Sequence, residues 1–138
     1  MFIGIDLGTS SIKMILIDHK QNIIATAYSN LTIQNPKEGY SEQSPEEWIK
    51  ATNECFKIVN EIAPKEFSET VSLGISGHMH GATLIDKSGR VIRPCILWND
   101  TRSYKECLEF EDQEFDVRKI SGNITMPGFT APKINWIK

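Results

Sequence analysis

Met1-Phe2-Ile3-Gly4-Ile5-Asp6-Leu7-Gly8-Thr9-Ser10-Ser11-Ile12-Lys13-Met14-Ile15-Leu16-Ile17-Asp18 opens the chain and decides its fold. Two Ile-rich apolar runs flank Asp6-Leu7-Gly8-Thr9-Ser10, and short apolar runs bounded by turn residues read as strands. Gly8 marks the reversal, where a positive φ is expected. The turn gathers backbone N–H groups, the hydroxyls of Thr9 and Ser10 and the Asp6 carboxylate, with Lys13 on the strand that follows. N–H groups in a tight turn form an anion-binding concavity, which suits a polyphosphate. Asp6 repels a phosphate directly, so this reading requires a divalent cation, Mg²⁺ with its own waters, between the two. An ordinary hairpin with Asp6 capping its own turn is the alternative, and spacing alone leaves both open.

Outward from this stretch, a polar turn at Asp18–Asn22 leads to a third run, Ile23–Ser29. Three sequential strands with short turns predict an antiparallel meander. Ser44-Pro45-Glu46-Glu47 predicts a helix start, with Ser44 as N-cap, Pro45 at the first helical position and Glu47 completing a capping box. Trp48, Ile49, Cys55, Phe56, Val59, Ile62 and Ala63 follow at helical spacing, and Pro64 stops them. One long helix on the meander is expected, with Trp48 in the core. Val71–Gly77 predicts a fourth strand, and a helical crossover makes its pairing with the first strand parallel.

Further on, Ala82–Ile85 and Arg90–Ile92 predict a hairpin, and Pro94–Trp98 another strand. Asp100 is placed to cap a helix from Thr101 to Phe110, and a second helical segment runs from Asp112 to Ile120 and stops at Gly122. An irregular loop, Asn123–Lys133, ends at a helix that Pro132 opens. The chain stops barely a turn into that helix, so it is expected to belong to a longer protein.

The 138 residues are 40% hydrophobic and 24% charged, ordinary values that allow one modest domain with a real core. A net charge of −3 gives no basic surface and argues against nucleic acid as a partner. Cys55, Cys95 and Cys107 are odd in number and lack CxxC spacing, as expected of reduced thiols in the cytoplasm. No basic leader precedes the first apolar run and no run is long enough to span a membrane.

Two strand ends carry unusual residues: Gly77-His78-Met79-His80-Gly81 and Trp98-Asn99-Asp100-Thr101-Arg102. Ligands of open α/β sheets collect at the carboxyl ends of strands. His80, Asn99, Asp100 and Arg102 offer donors and acceptors, and Trp98 offers a flat apolar face. That mixture suits a small sugar or polyol. Plainer readings stand beside it: an exposed pair of histidines, a core Trp98, and an Arg102 that pairs with Asp100 or with Glu106 one turn on.

The first motif, the helix entry Glu42-Gln43-Ser44-Pro45-Glu46-Glu47-Trp48, and the stretches Gly74–Leu84, Arg93–Asp100 and Gly122–Lys133 together resemble the FGGY carbohydrate kinase family, specifically its xylulose-phosphorylating branch. The likeness covers nearly the whole chain. It implies a ribonuclease-H-like α/β fold of the actin-like ATPase class: a mixed sheet led by an antiparallel three-strand meander, with helices packed on it. It implies that residues 1–138 are an incomplete N-terminal domain, with the nucleotide-binding C-terminal domain and the catalytic base outside them. By resemblance, Asp6 organises Mg²⁺ through water and is needed for activity. Gly8, Thr9 and Ser10, with Lys13 nearby, line the ATP phosphates. Met79 and His80 contact the sugar, and Trp98, Asn99, Asp100 and Arg102 border its pocket. ATP and a small sugar are the implied substrates, and the absent domain is the implied partner. Apolar surface left open by that absence makes a homodimer conceivable. The branch usually carries Gln where this chain has His78, which bears on sugar preference.

Overall fold

The computed structural model describes residues 1–112 and 116–138. The chain's contacts divide into two compact units. One comprises Met1–Thr32 and Pro45–His78, the other Ile33–Ser44 and Met79–Lys138.

In the first unit, β1 (Phe2–Leu7), β2 (Ser11–Ile17) and β3 (Ile23–Asn30) form the expected antiparallel meander. β5 (Ser72–Ser76) lies parallel to β1, giving the order β3-β2-β1-β5. Strand alternation sends Ile3, Ile5, Ile12, Met14, Leu16, Ala25 and Ala27 into one buried layer. Onto it α1 (Pro45–Ile62) lays Ala51, Cys55 and Val59. Burying one of the large apolar side chains contributes about 1.5–3 kcal/mol, so this single face holds the unit together.

The helix stripe is narrower than its periodicity suggests. Ile49 and Ile62 are exposed, because residues spaced by four already cover the small Ala25 and Ala27. Pro64 ends α1 as expected and opens a short α2 (Pro64–Ser68), whose Phe67 ring meets Phe56 edge-on at 6.1 Å. Trp48 does not join this core; it is half-buried against His78.

In the second unit, β4 (Glu42–Gln43) pairs antiparallel with β6 (Cys95–Ile96) in a sheet of their own. The Pro94–Trp98 run therefore adds no strand to the meander sheet. The predicted hairpin at Ala82–Ile92 survives as a bridge between Ile85 and Val91, closed by Asp86 N donating to Arg90 O. α3 (Tyr104–Glu111) starts after Ser103, not at Asp100. The Asp100 carboxylate is instead occupied by Ser41 N and Arg102, which removes it from capping. α4 (Val117–Ser121) is capped by Asp116 accepting from Lys119 N and ends at left-handed Gly122. The predicted start of that segment runs through residues 113–115, which lie outside the described residues. α5 (Thr130–Ile137) begins two residues before Pro132.

This unit's core is mixed. Ala82, Cys95, Ile96, Leu97 and Cys107 are buried with Glu42, Gln43, Asp100, Ser103 and Lys133. All three cysteines are free and buried, and burial pushes each thiol above its ordinary value. Among the described residues no helix is long and apolar enough to cross a membrane.

Candidate active site

The first unit carries the turn. Gly8 does not adopt the expected positive φ. Its glycine requirement is closeness: Gly8 N donates to Ser11 O at 3.0 Å, and a Cβ at Gly8 would stand 3.0 Å from that same oxygen. Leu31 N donates to Ser10 O at 2.9 Å, tying the turn to the end of β3. Asp6 is exposed at the end of β1, paired in register with Lys13 on β2 and Ser76 on β5. Ser76 Oγ donates to Asp6 Oδ1 at 2.5 Å.

Among the described residues, no cluster of three metal-ligating side chains occurs. The donor available at the end of β1 is therefore a single exposed carboxylate, which is the donor set a water-coordinated Mg²⁺ would use. Asp6, Lys13, Tyr28 and Ser76 also line a concavity of about 820 Å³ on the sheet face opposite α1.

His78 stands at the end of the segment that follows β5. Its ring lies 5.4 Å from the Trp48 ring. Burial pushes its pKa below the ordinary value, against an opposing pull from the Asp6 carboxylate. Its Nε2 is buried and unpaired among the described residues. The lowered pKa favours the neutral imidazole at pH 7, which like the Gln expected there can both donate and accept a hydrogen bond.

The second unit carries the remaining candidates, and it separates them. Met79 and His80 are exposed, and His80 holds a left-handed backbone at φ 58°. The His80 ring packs on Phe129 at 4.7 Å, and its carbonyl accepts from Lys133 Nζ at 2.8 Å. Trp98 and Asn99 are exposed. A Cβ on Gly128 would stand 2.5 Å from Trp98 O, so the Met126–Phe129 loop lies directly against Trp98.

The charged ends of Asp100 and Arg102 are engaged with each other and with Glu42. Arg102 donates to Asp100 from both Nε and Nη2, at 2.9 and 2.7 Å, and its Nη1 pairs with Glu42 at 2.6 Å. Glu42 also accepts from Arg93 at 2.6 Å. The Arg102 guanidinium covers the Tyr40 ring at 3.7 Å and lies 5.0 Å from Trp136. The pairing of Arg102 with Asp100 is thus the plainer of the two sequence readings, and Glu106 is not its partner.

Two residues here, Phe129 and Lys133, lie in the Gly122–Lys133 stretch without having been singled out as site candidates. Lys133 sits between Pro132 and Trp136 on a helix face that turns inward, and Phe129 lies in a proline- and glycine-rich loop. The available signal was a lone lysine within Ala131-Pro132-Lys133-Ile134, where apolar neighbours on both sides predict burial.

A meander-led mixed sheet with a carboxylate at the end of its first strand is the arrangement of ribonuclease-H-like, actin-like ATPases. The sequence pattern of the "FGGY family of carbohydrate kinases, N-terminal domain" matches residues 1–138, and the chain belongs to that family. A xylulose kinase of Klebsiella pneumoniae is 47% identical over 138 residues, the whole of this chain and 28% of the relative. The crystal structure of a Brucella ovis enzyme titled a xyloylose kinase superposes with a TM-score of 0.93 at 51% identity, covering 98% of this chain and 28% of that one. Xylulose kinase from Rhodospirillum rubrum gives 0.91 at 26% identity, with coverages of 98% and 28%. The chain therefore spans little more than a quarter of the length of these relatives.

Proposed function

We propose that this chain supplies the N-terminal part of a cytoplasmic kinase that transfers the γ-phosphate of ATP to D-xylulose, giving D-xylulose 5-phosphate. The observation that carries this reading is the 47% identity, over the whole chain, with a protein named xylulose kinase. Asp6 would hold Mg²⁺ through water, and the ion would offset phosphate charge during transfer. Gly8, Thr9 and Ser10 would face the phosphates with donors, and Lys13 would add a positive charge beside them. Met79 and His80 would orient the sugar, with Trp98 and Asn99 at its border. Proton removal from the sugar hydroxyl falls to a base outside these residues, and the second half of the nucleotide site lies outside them as well.

Residues 1–138 alone are accordingly expected to show no turnover. The test is a substrate panel on the full-length protein: D-xylulose, D-ribulose, L-fuculose, gluconate and glycerol, each with MgATP. D-xylulose is expected to give the highest kcat/KM. A clear preference for another member overturns the sugar assignment, and turnover by residues 1–138 alone overturns the division of labour.

A further inference from the structure

Lys133, in the second unit, is 0% exposed. A buried ammonium is costly unless its protons find acceptors. Two are found: Nζ donates to His80 O at 2.8 Å and to Gly128 O at 2.7 Å. Burial pushes its pKa down to about 8, with Asp100 and Cys95 pulling upward and Arg102 downward. The two carbonyls come from different loops. One belongs to a residue whose backbone is left-handed despite a full side chain. The other belongs to a loop whose glycine rests against Trp98 O. Phe129, next to that glycine, carries the His80 ring.

We propose that Lys133 is the positioning residue of the sugar-contacting loop. Its ammonium clamps the His80 and Gly128 carbonyls so that Met79 and His80 are presented in one conformation to the sugar. This rests on the reading of Met79 and His80 as sugar contacts. Lys133 itself touches no substrate, since its head group is enclosed. A strained left-handed residue persists only where its surroundings over-determine it, and here the surroundings are one charge-assisted donor and one aromatic ring. Loss of the donor frees the carbonyl to rotate and lets the loop leave the conformation that meets the sugar.

The test compares the full-length enzyme with Lys133→Met, which keeps the stem and removes the donors. The expected result is a rise of about tenfold or more in KM for D-xylulose, with KM for ATP held within about twofold. Lys133→Arg, which keeps a charge-assisted donor, is expected to recover part of the loss. An unchanged sugar KM, or equal damage to both KM values, overturns the proposal. If Lys133→Met does not fold, the unsubstituted enzyme decides. With ¹⁵N-lysine, saturating D-xylulose is expected to slow proton exchange at the Lys133 ammonium, and an unmoved signal overturns the clamp. An unsubstituted enzyme inert toward D-xylulose fails differently, because it removes the sugar reading along with the clamp.

Discussion

Ser76 Oγ donates to Asp6 Oδ1 across 2.5 Å, where β5 and β1 run in parallel register. The bond occupies one oxygen of the carboxylate that is proposed to hold Mg²⁺ through water. In the full-length protein Asp6→Ala is expected to lower kcat by about a hundredfold or more, since metal charge stabilisation is worth several kcal/mol. Ser76→Ala removes only the orienting bond and is expected to raise the Mg²⁺ concentration for half-maximal activity by roughly threefold to tenfold. Steady-state kinetics over a Mg²⁺ series checks both. Equal losses for the two variants contradict the assigned roles.

His78 is expected to titrate below 6.5, because burial disfavours its charged form more than Asp6 favours it. The sign for stability follows from proton counting. Between the folded and unfolded pKa the unfolded chain binds more protons, so stability rises with pH through that window and is fully present above 6.5. It is lost as pH falls toward the folded value. Histidine ¹H–¹³C NMR across pH 4.5–8 checks the midpoint. Replacement by the expected residue, His78→Gln, should flatten this part of the stability profile and leave sugar use at pH 7.5 within about twofold, since both side chains are neutral there.

Local signals made most of the first unit legible. Alternation in Ile3–Ile5 and Ile12–Leu16, together with the proline at each end of α1, predicts strands, helix and parallel crossover where they occur. The second unit was less so, because its order comes from contacts remote in sequence. Asp100 reads locally as a helix cap, yet its partners are Arg102 and, 59 residues back, the Ser41 amide. Trp48 reads as core by its spacing, but the neighbour that claims it, His78, follows β5. Lys133 has apolar neighbours in sequence, but only the carbonyls of His80 and Gly128 reveal what its buried ammonium does. Gly8 shows a subtler limit: a glycine was expected for its φ, whereas what the structure shows there is crowding, with Ser11 O 3.0 Å from where a Cβ would stand.

The Arg102 cluster predicts a stability effect separate from any role toward the sugar. Its side chain is 1% exposed and Asp100 is fully enclosed, so truncating the arginine strands a buried carboxylate. Breaking one partner of such a pair costs about 3–5 kcal/mol. Arg102→Met is expected to destabilise the domain by that order in urea unfolding followed by tryptophan fluorescence. Asp100→Asn with Arg102→Met should recover part of the loss, because the stranded charge is gone. Glu42 still pairs with Arg93 in that double variant. A single variant costing less than about 1 kcal/mol contradicts a buried pair.

β5 is one of the two edge strands of the sheet order, and Leu73 and Ile75 along it, with Val71 just before it, are exposed. Leu73 and Ile75 lie on the side that α1 covers over β2 and β3, yet α1 does not reach them. An apolar edge with free ladder groups is a template for another strand. Produced as residues 1–138 alone, the chain is expected to self-associate with increasing concentration in sedimentation velocity. A charge on the edge opposes pairing, so Ile75→Lys should shift the population toward monomer at equal concentration. Phe2 and Tyr28 are exposed elsewhere on the same unit and supply the control. If Tyr28→Lys disperses the assembly and Ile75→Lys does not, the contact runs through β3 or the sheet face that carries Tyr28, and not through the β5 edge.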